Sequence, residues 1–109
     1  MTVEIALLYC TFADAESAAR VARAVVDERL AACANLGGGI RSIYRWAGAV
    51  ETADEVPVLF KTAPACAAAL AARIAALHDY DLAVVESWTA RVAPAVAAWI
   101  AAETRGDTT

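Results

Sequence analysis

The order of apolar patterns along this 109-residue chain predicts an α+β fold in a single domain. Short runs rich in β-branched and aromatic residues alternate with alanine-rich segments of helical periodicity. The length suits one hydrophobic core, and no stretch has the composition of an internal linker. We therefore place one domain at residues 1–104 and a polar tail at residues 105–109.

The first third predicts a strand followed by a long helix. Val3 to Phe12 has apolar residues on both faces, which is typical of a central strand. Asp14 can cap a helix that we predict from Ala15 to Cys33, because its apolar residues keep to one helical arc. Cys33 lies on that arc, so we expect it in the core, where free cysteine is common. Arg29 lies on the same arc and either extends to solvent or pairs with another group.

The middle of the chain predicts a long hairpin. Asn35 and the glycines at 37–39 end the helix, since both residue types accept a left-handed backbone. We predict strands at Ile40 to Trp46 and at Val56 to Thr62, joined through the segment AGAVETADE. Pro57 has no amide proton to donate, so it is expected at a bulge or where one strand edge is unpaired.

The last third predicts a helix, a strand and a terminal helix. Pro64 suits a first helical turn, and the helix it starts ends near His78. Its apolar stripe is Cys66, Leu70, Ile74 and Leu77. Leu82 to Thr89 predicts a strand, and a short helix follows behind Pro94. The apolar face of that helix is Val92, Val96, Trp99 and Ile100. With right-handed crossovers, the whole order is a ferredoxin-like βαββαβ sandwich with an extra C-terminal helix.

Charge and composition exclude several classes of function. A net charge of −4 is unsuited to a phosphate backbone, so we expect no nucleic-acid partner. The cysteines Cys10, Cys33 and Cys66 form no C-x-x-C pair, which favours a reducing, cytoplasmic location. The segment MTVEIALLYC lacks the basic region of a signal peptide and the length of a membrane span. One histidine and no nucleophile–base pattern indicate that the protein is not an enzyme.

Several motifs, in this order and spacing, resemble the CutA family of divalent cation tolerance proteins. They are ERLAACANL, SIYRWAG, an acidic E..DE, FKT, LHDY and a terminal WI. The resemblance runs from about Leu7 to Ile100, and it implies a PII-like homotrimer with clefts between subunits. It also implies binding of copper or another divalent cation, with Cys10 and His78 as the ligands. A thiolate and an imidazole suit copper, but a buried cysteine and a helix-end histidine are equally common as structural residues.

The segment HDYDLAV departs from the family pattern H-P-Y-E-x-P-E. Asp79 and Ala83 stand in place of its prolines, and Val84 stands in place of its acid. Glu86 lies on the same strand face as Val84, two residues on. The departure leaves the ligand of this chain open.

Seven further residues are candidates for a cleft or a hairpin ligand site: Arg41, Trp46, Glu51, Asp54, Glu55, Lys61 and Tyr80. The three carboxylates would bind hard cations such as Mg²⁺, or else form a solvated turn. Lys61 and Tyr80 beside Arg41 would line a subunit cleft for a small anionic ligand, as in a PII-like sensor. Tyr44 and Trp46 would pack at the subunit interface. A trimeric scaffold that binds neither ligand is the remaining alternative.

Overall fold

A computed structural model describes residues 3–105 of the chain. The elements in chain order are β1 (Val3–Phe12), α1 (Ala15–Asp27), β2 (Cys33–Leu36), β3 (Ile40–Trp46), β4 (Ala49–Thr62), a 3-10 turn (Pro64–Cys66), α2 (Ala67–Leu77), β5 (Glu86–Val92) and α3 (Pro94–Glu103). The sheet order is β2–β4–β1–β5, and β3 pairs with β4 alongside β2. Every pairing is antiparallel. With β2 and β3 as one interrupted strand this is the ferredoxin-like order, so the predicted fold class is confirmed.

One face of the sheet carries the core. β1 lies between β4 and β5, as its two apolar faces predicted. The even-numbered residues of β1 from Ala6 to Phe12 pack against α1 and α2 in one hydrophobic cluster. The main members of this cluster are Leu8, Cys10, Phe12, Val21, Val25, Val58, Phe60, Leu70 and Ile74. Each large side chain in such a cluster contributes about 1.5–3 kcal/mol by leaving water. The two helices are thereby fixed on one face of the sheet.

Helix α1 begins where the sequence predicted and ends earlier. Asp14 caps it, because its Oδ1 accepts the Ser17 backbone N–H at 2.8 Å. The helix stops at Asp27, and Arg29 adopts a left-handed φ of 63°. The prediction of helix up to Cys33 was wrong, because the small residues there fit a strand equally well and pairing with β4 decides between the two. Cys33 is only half-buried at the start of β2, so its expected place in the core was also wrong.

Arg29 pairs rather than extending freely into solvent. Its Nη2 donates to the Ala102 carbonyl at 2.6 Å, and its own carbonyl accepts the Arg105 N–H at 2.9 Å. The Cys66 thiol donates to the Arg105 carbonyl at 2.7 Å. These bonds attach the end of α3 to the body of the domain. Arg105, predicted to begin the free tail, is thus hydrogen-bonded, and residues 106–109 lie outside the described part of the chain.

The hairpin of β3 and β4 is longer than predicted. Its turn is only Ala47 and Gly48, both with positive φ, as a tight hairpin turn requires. The segment predicted as a connecting loop is therefore mostly strand. Its three carboxylates, Glu51, Asp54 and Glu55, lie on β4 rather than in a turn. The two-residue turn at Ala47 and Gly48 was not predicted, because the acidic residues that follow it are typical of loops.

Pro57 lies where one strand edge is unpaired, as predicted. Its carbonyl accepts the Gly37 N–H at 2.8 Å. In a strand, the N–H and the C=O of one residue point to the same side, so the side on which Pro57 lacks a donor is the side that faces Gly37. That side is the gap between β2, which pairs with β4 as far as Val58, and β3, which pairs with it from Glu55. A Cβ on Gly37 would lie 2.9 Å from the Pro57 Cγ. Glycine at position 37 therefore makes room for the proline ring.

The end of the chain shows two further corrections. β5 starts at Glu86, four residues later than Leu82, because residues 82–85 leave the sheet and run beside the hairpin. On α3 only Ile100 of the predicted apolar face is buried, whereas Val96 and Trp99 are exposed and Val92 belongs to β5. Helix α2 follows Pro64 and ends before His78, as predicted. Of the helices in residues 3–105, none is long and apolar enough to cross a membrane.

Candidate functional site

A cleft of about 530 Å³ lies between the hairpin and the segment that follows α2. Its lining is drawn from three strands and that segment: Thr11, Ser42, Tyr44, Arg45, Trp46, Glu55, Tyr80, Asp81, Leu82 and Val84. Ser42, Tyr44 and Trp46 alternate along β3 and so share one face of the sheet. This is the face that α1 and α2 leave open.

Glu55 is the buried charge of this cleft. It is 9% exposed, and its Oε2 accepts hydrogen bonds from Thr11 Oγ1 at 3.1 Å and from the Tyr80 hydroxyl at 2.8 Å. Burial acts to raise the pKa of Glu55, but the hydroxyls of Ser42, Tyr80 and Thr11 outweigh it and hold that pKa below its ordinary value. Glu55 is therefore an anion at neutral pH.

Tyr80 is fixed as a hydrogen-bond donor by the same contact. Burial, together with the bond to the Glu55 carboxylate and its negative charge, raises the pKa of the Tyr80 hydroxyl. The phenol keeps its proton throughout the physiological range. Tyr80 reaches the open face of the sheet because the chain turns after α2 and passes the end of β1.

Cys10 and His78 meet at one backbone atom, the carbonyl oxygen of Thr11. The Cys10 thiol donates to it at 3.7 Å, and His78 Nε2 lies 2.8 Å from it. The Tyr80 N–H donates to His78 Nδ1 at 3.1 Å, so Nδ1 is unprotonated and Nε2 carries the proton. The imidazole also stacks on Phe12, with ring centroids 4.4 Å apart. Both ring nitrogens are engaged within the fold.

The chemistry of these two groups does not fit a copper ion in this conformation. Copper binds the thiolate, but burial, and then the charge of Glu55, raises the pKa of Cys10 to about 12. His78 would have to break one of its two hydrogen bonds to offer a lone pair. Within residues 3–105, no group of three His, Cys, Asp or Glu side chains is placed to hold a metal ion.

The other candidates from the sequence divide into two groups. The structure brings Trp46, Glu55 and Tyr80 together in the cleft. Arg41 pairs with Asp54 at 3.2 Å. Both residues lie on the face of the hairpin opposite Glu55, because side chains alternate between the two faces along each strand. Glu51 is exposed opposite Tyr44 and outside the cleft.

Lys61 lies far from the cleft on the same strand. It pairs with Leu7 and Cys33, six residues from Glu55, or about 20 Å along β4. The anion-binding cleft expected from Lys61, Tyr80 and Arg41 is therefore not formed within one chain.

Seven lining residues were not among the sequence candidates for the cleft: Thr11, Ser42, Tyr44, Arg45, Asp81, Leu82 and Val84. Alternation along β3 was sufficient to place Ser42 and Tyr44 beside Trp46. No pattern placed Thr11 or Leu82 there, because Thr11 lies 44 residues from Glu55 and Leu82 was predicted to begin a strand.

The sheet order, the helices on one face and the cleft beside a projecting hairpin define a ferredoxin-like domain of the PII-like type. Residues 6–103 match the model of the family described as CutA1 divalent ion tolerance protein. The chain belongs to this family.

Named relatives agree with the family match. The divalent-cation tolerance protein CutA of Thermus thermophilus is 45% identical over 67 residues, covering 62% of this chain and 65% of that protein. Protein CutA 1, chloroplastic, of Oryza sativa is 37% identical over 81 residues, covering 74% of this chain. The chain spans about half of that rice protein, 46% of its length. The crystal structure of CutA1 from Oryza sativa superposes with a TM-score of 0.89 at 32% identity, covering 97% of this chain and 98% of that one.

Proposed function

We propose that this protein acts in divalent-cation tolerance as a cytoplasmic homotrimer, without catalysis of its own. The observation that carries the tolerance role is the family match over residues 6–103, and the apolar surface of the hairpin and of the open sheet face supports assembly. Its exposed members are Ile43, Tyr44, Trp46, Val50, Leu82, Val84 and Trp88. Large apolar residues exposed on both faces of one hairpin and on the sheet beside it are typical of an interface between proteins.

The shape of the chain supports assembly through these surfaces. Its radius of gyration is 14.5 Å, against about 13 Å for a compact chain of this length, because the hairpin projects from the body. Among the strands of residues 3–105, β5 pairs only with β1, and β2 and β3 pair only with β4. Both edges of the sheet are thus unpaired within this part of the chain. A second copy would cover these edges and the apolar residues beside them.

Copper or another divalent cation is the ion of this proposal. The family's name supports a cation, and the described residues of one chain supply no three-ligand group, so ligands from more than one subunit would be needed. Glu51 and Asp54 are exposed carboxylates suited to hard cations. The family resemblance implies Cys10 and His78 as copper ligands, but in this conformation the thiol and both ring nitrogens are engaged in hydrogen bonds within the fold.

Copper titration by calorimetry tests those two ligands. We expect Cys10→Ser and His78→Ala each to leave the copper affinity within about twofold, because neither side chain offers a free ligand atom. A loss of about tenfold or more in both variants would instead establish a Cys10–His78 site. No measurable copper or zinc binding by the unaltered trimer would contradict the metal proposal itself.

A PII-like ligand sensor is the second candidate function. The specific observation in its favour is the cleft around Glu55, whose size suits a small molecule. In this alternative, occupation of the cleft would change a contact with another protein.

A further inference from the structure

The cleft holds a buried charge that has no cationic partner. The three ion pairs formed within residues 3–105 are Arg20–Asp79, Arg41–Asp54 and Arg73–Glu28, and none includes Glu55. Thr11 and Tyr80 both donate to Oε2, and the Ser42 hydroxyl is a third donor to this carboxylate, so its hydrogen-bond donors are neutral hydroxyls. Neutral donors satisfy the oxygens of this carboxylate, which is 9% exposed, but they do not neutralise its charge, so a cation that enters the cleft is attracted to it.

Aromatic and aliphatic side chains surround that carboxylate. Tyr44, Trp46 and Tyr80 line the cleft, and within one chain 41%, 50% and 36% of their surface is exposed. Tyr44 and Trp46 also belong to the surface proposed for assembly, so this cleft would lie at a subunit boundary of the trimer. The negative face of an aromatic ring attracts organic cations. Leu82 and Val84 add exposed apolar surface to the same lining. Hard metal ions prefer a shell of oxygen ligands, which these residues do not provide.

The charge of the lining opposes an anionic ligand. One arginine, Arg45, stands against two carboxylates, Glu55 and Asp81, so the lining carries a net charge of −1. Arg45 is opposite Val50 on β3, out of phase with Tyr44 and Trp46. An anion in the cleft would therefore face the buried carboxylate, whereas a cation would pair with it.

We propose that this cleft binds a small primary alkylammonium ion. The ammonium N–H groups donate to the Glu55 carboxylate, and the hydrocarbon part packs against Trp46 and Leu82. This inference rests on the second candidate function, ligand sensing at this cleft, and is independent of metal binding.

Titration with n-butylammonium chloride, followed by ¹H–¹⁵N correlation spectra of the full chain, tests the proposal. We expect saturable shifts of the Ser42 and Tyr80 amides and of the Trp46 indole N–H. A ligand of five heavy atoms gives a dissociation constant on the order of millimolar. n-Butanol, which lacks the charge, and butyrate, which reverses it, should produce no saturable shifts at these residues.

Variants assign the binding to Glu55. Glu55→Gln keeps the size of the side chain and should weaken butylammonium binding by about tenfold or more. Glu51→Gln removes the same charge from the same face of β4, but from an exposed site outside the cleft, and should change affinity by less than about twofold. Arg45→Met removes the opposing charge and should strengthen binding by about two- to fivefold. If Glu55→Gln fails to fold, Asp81→Asn, which removes the other carboxylate of the lining from an exposed site, should weaken binding by about two- to fivefold.

Four results would overturn the inference. They are the absence of saturable shifts in the unaltered protein, unchanged affinity in Glu55→Gln, weaker binding in Arg45→Met, and a tighter response of the same signals to Mg²⁺ or Cu²⁺ than to butylammonium. Each leaves the copper titration and the mass of the oligomer unaffected, so failure of this inference is distinguishable from failure of the tolerance proposal.

Discussion

Glu55 shows how one side chain couples the fold to the cleft. Its carboxylate is bonded to Thr11 on β1 and to Tyr80 beyond α2, so it connects three separate parts of the chain. The sequence marked Glu55 only as one of three acids in an expected turn. Its burial depends on pairing between β3 and β4 and on the path of residues 80–84, and neither is encoded in the residues next to it.

Acid should destabilise this protein partly through Glu55. Its pKa in the folded state lies below the ordinary value. The contribution is therefore complete above the unfolded-state pKa of about 4.3 and is lost as pH falls through the lower folded-state pKa. Urea unfolding from about pH 6 down to about pH 3 should show a smaller loss of stability in Glu55→Gln than in the unaltered chain.

Glu51→Gln is the matched control for this pH dependence. Glu51 is exposed on the same strand, so this variant should follow the unaltered protein across the range. Equal acid sensitivity in Glu55→Gln and the unaltered chain would contradict the role assigned to the hydrogen bonds of Glu55.

At the scale of elements, local patterns identified most elements and failed at their ends. The cap at Asp14 and the first-turn prolines Pro64 and Pro94 were predicted, because each helix start depends on one residue and its neighbours. The stretch from Glu28 to Leu36 was not, because its small residues satisfy a helical and an extended pattern alike. Cys33 on β2 pairs with Lys61 on β4, and this pairing selects the strand over the helix. The two residues are distant in sequence, so the local pattern could not reveal it.

The break between β2 and β3 gives an element-scale prediction. A methyl group on Gly37 would lie 2.9 Å from the rigid Pro57 ring, whereas one on Gly38 meets no atom within 4 Å. Gly37→Ala should therefore lower the free energy of unfolding by about 1–3 kcal/mol, the usual effect of overpacking. Gly38→Ala should leave it nearly unchanged. Urea denaturation measures both.

A double substitution separates the proline contact from other effects of the methyl group. In a Pro57→Ala background the ring is absent, so Gly37→Ala should destabilise the protein much less. An equal loss in both backgrounds would exclude the Pro57 ring as the cause.

At the scale of the whole molecule, the chain forms both layers of a ferredoxin-like fold but leaves large apolar side chains exposed. The core binds α1 and α2 to one face, while the hairpin extends beyond them with apolar residues on both of its faces. Ile43 and Val50 lie on one face and Tyr44 and Trp46 on the other. The sequence predicted the fold and the aromatic hairpin, because both follow from periodicity. It named Trp46, Glu55 and Tyr80 among the candidate ligand residues but did not place them in one cleft of a single chain, because that cleft forms only when distant segments meet.

The central claim is that these surfaces assemble the chain into a homotrimer, and light scattering coupled to gel filtration tests it most directly. The account predicts a mass of three times 11.4 kDa at micromolar concentration. Charges placed on the hairpin by Ile43→Glu with Val50→Glu should reduce that mass, whereas Ala75→Glu on the exposed side of α2 should not. A mass of 11.4 kDa for the unaltered protein would contradict the account.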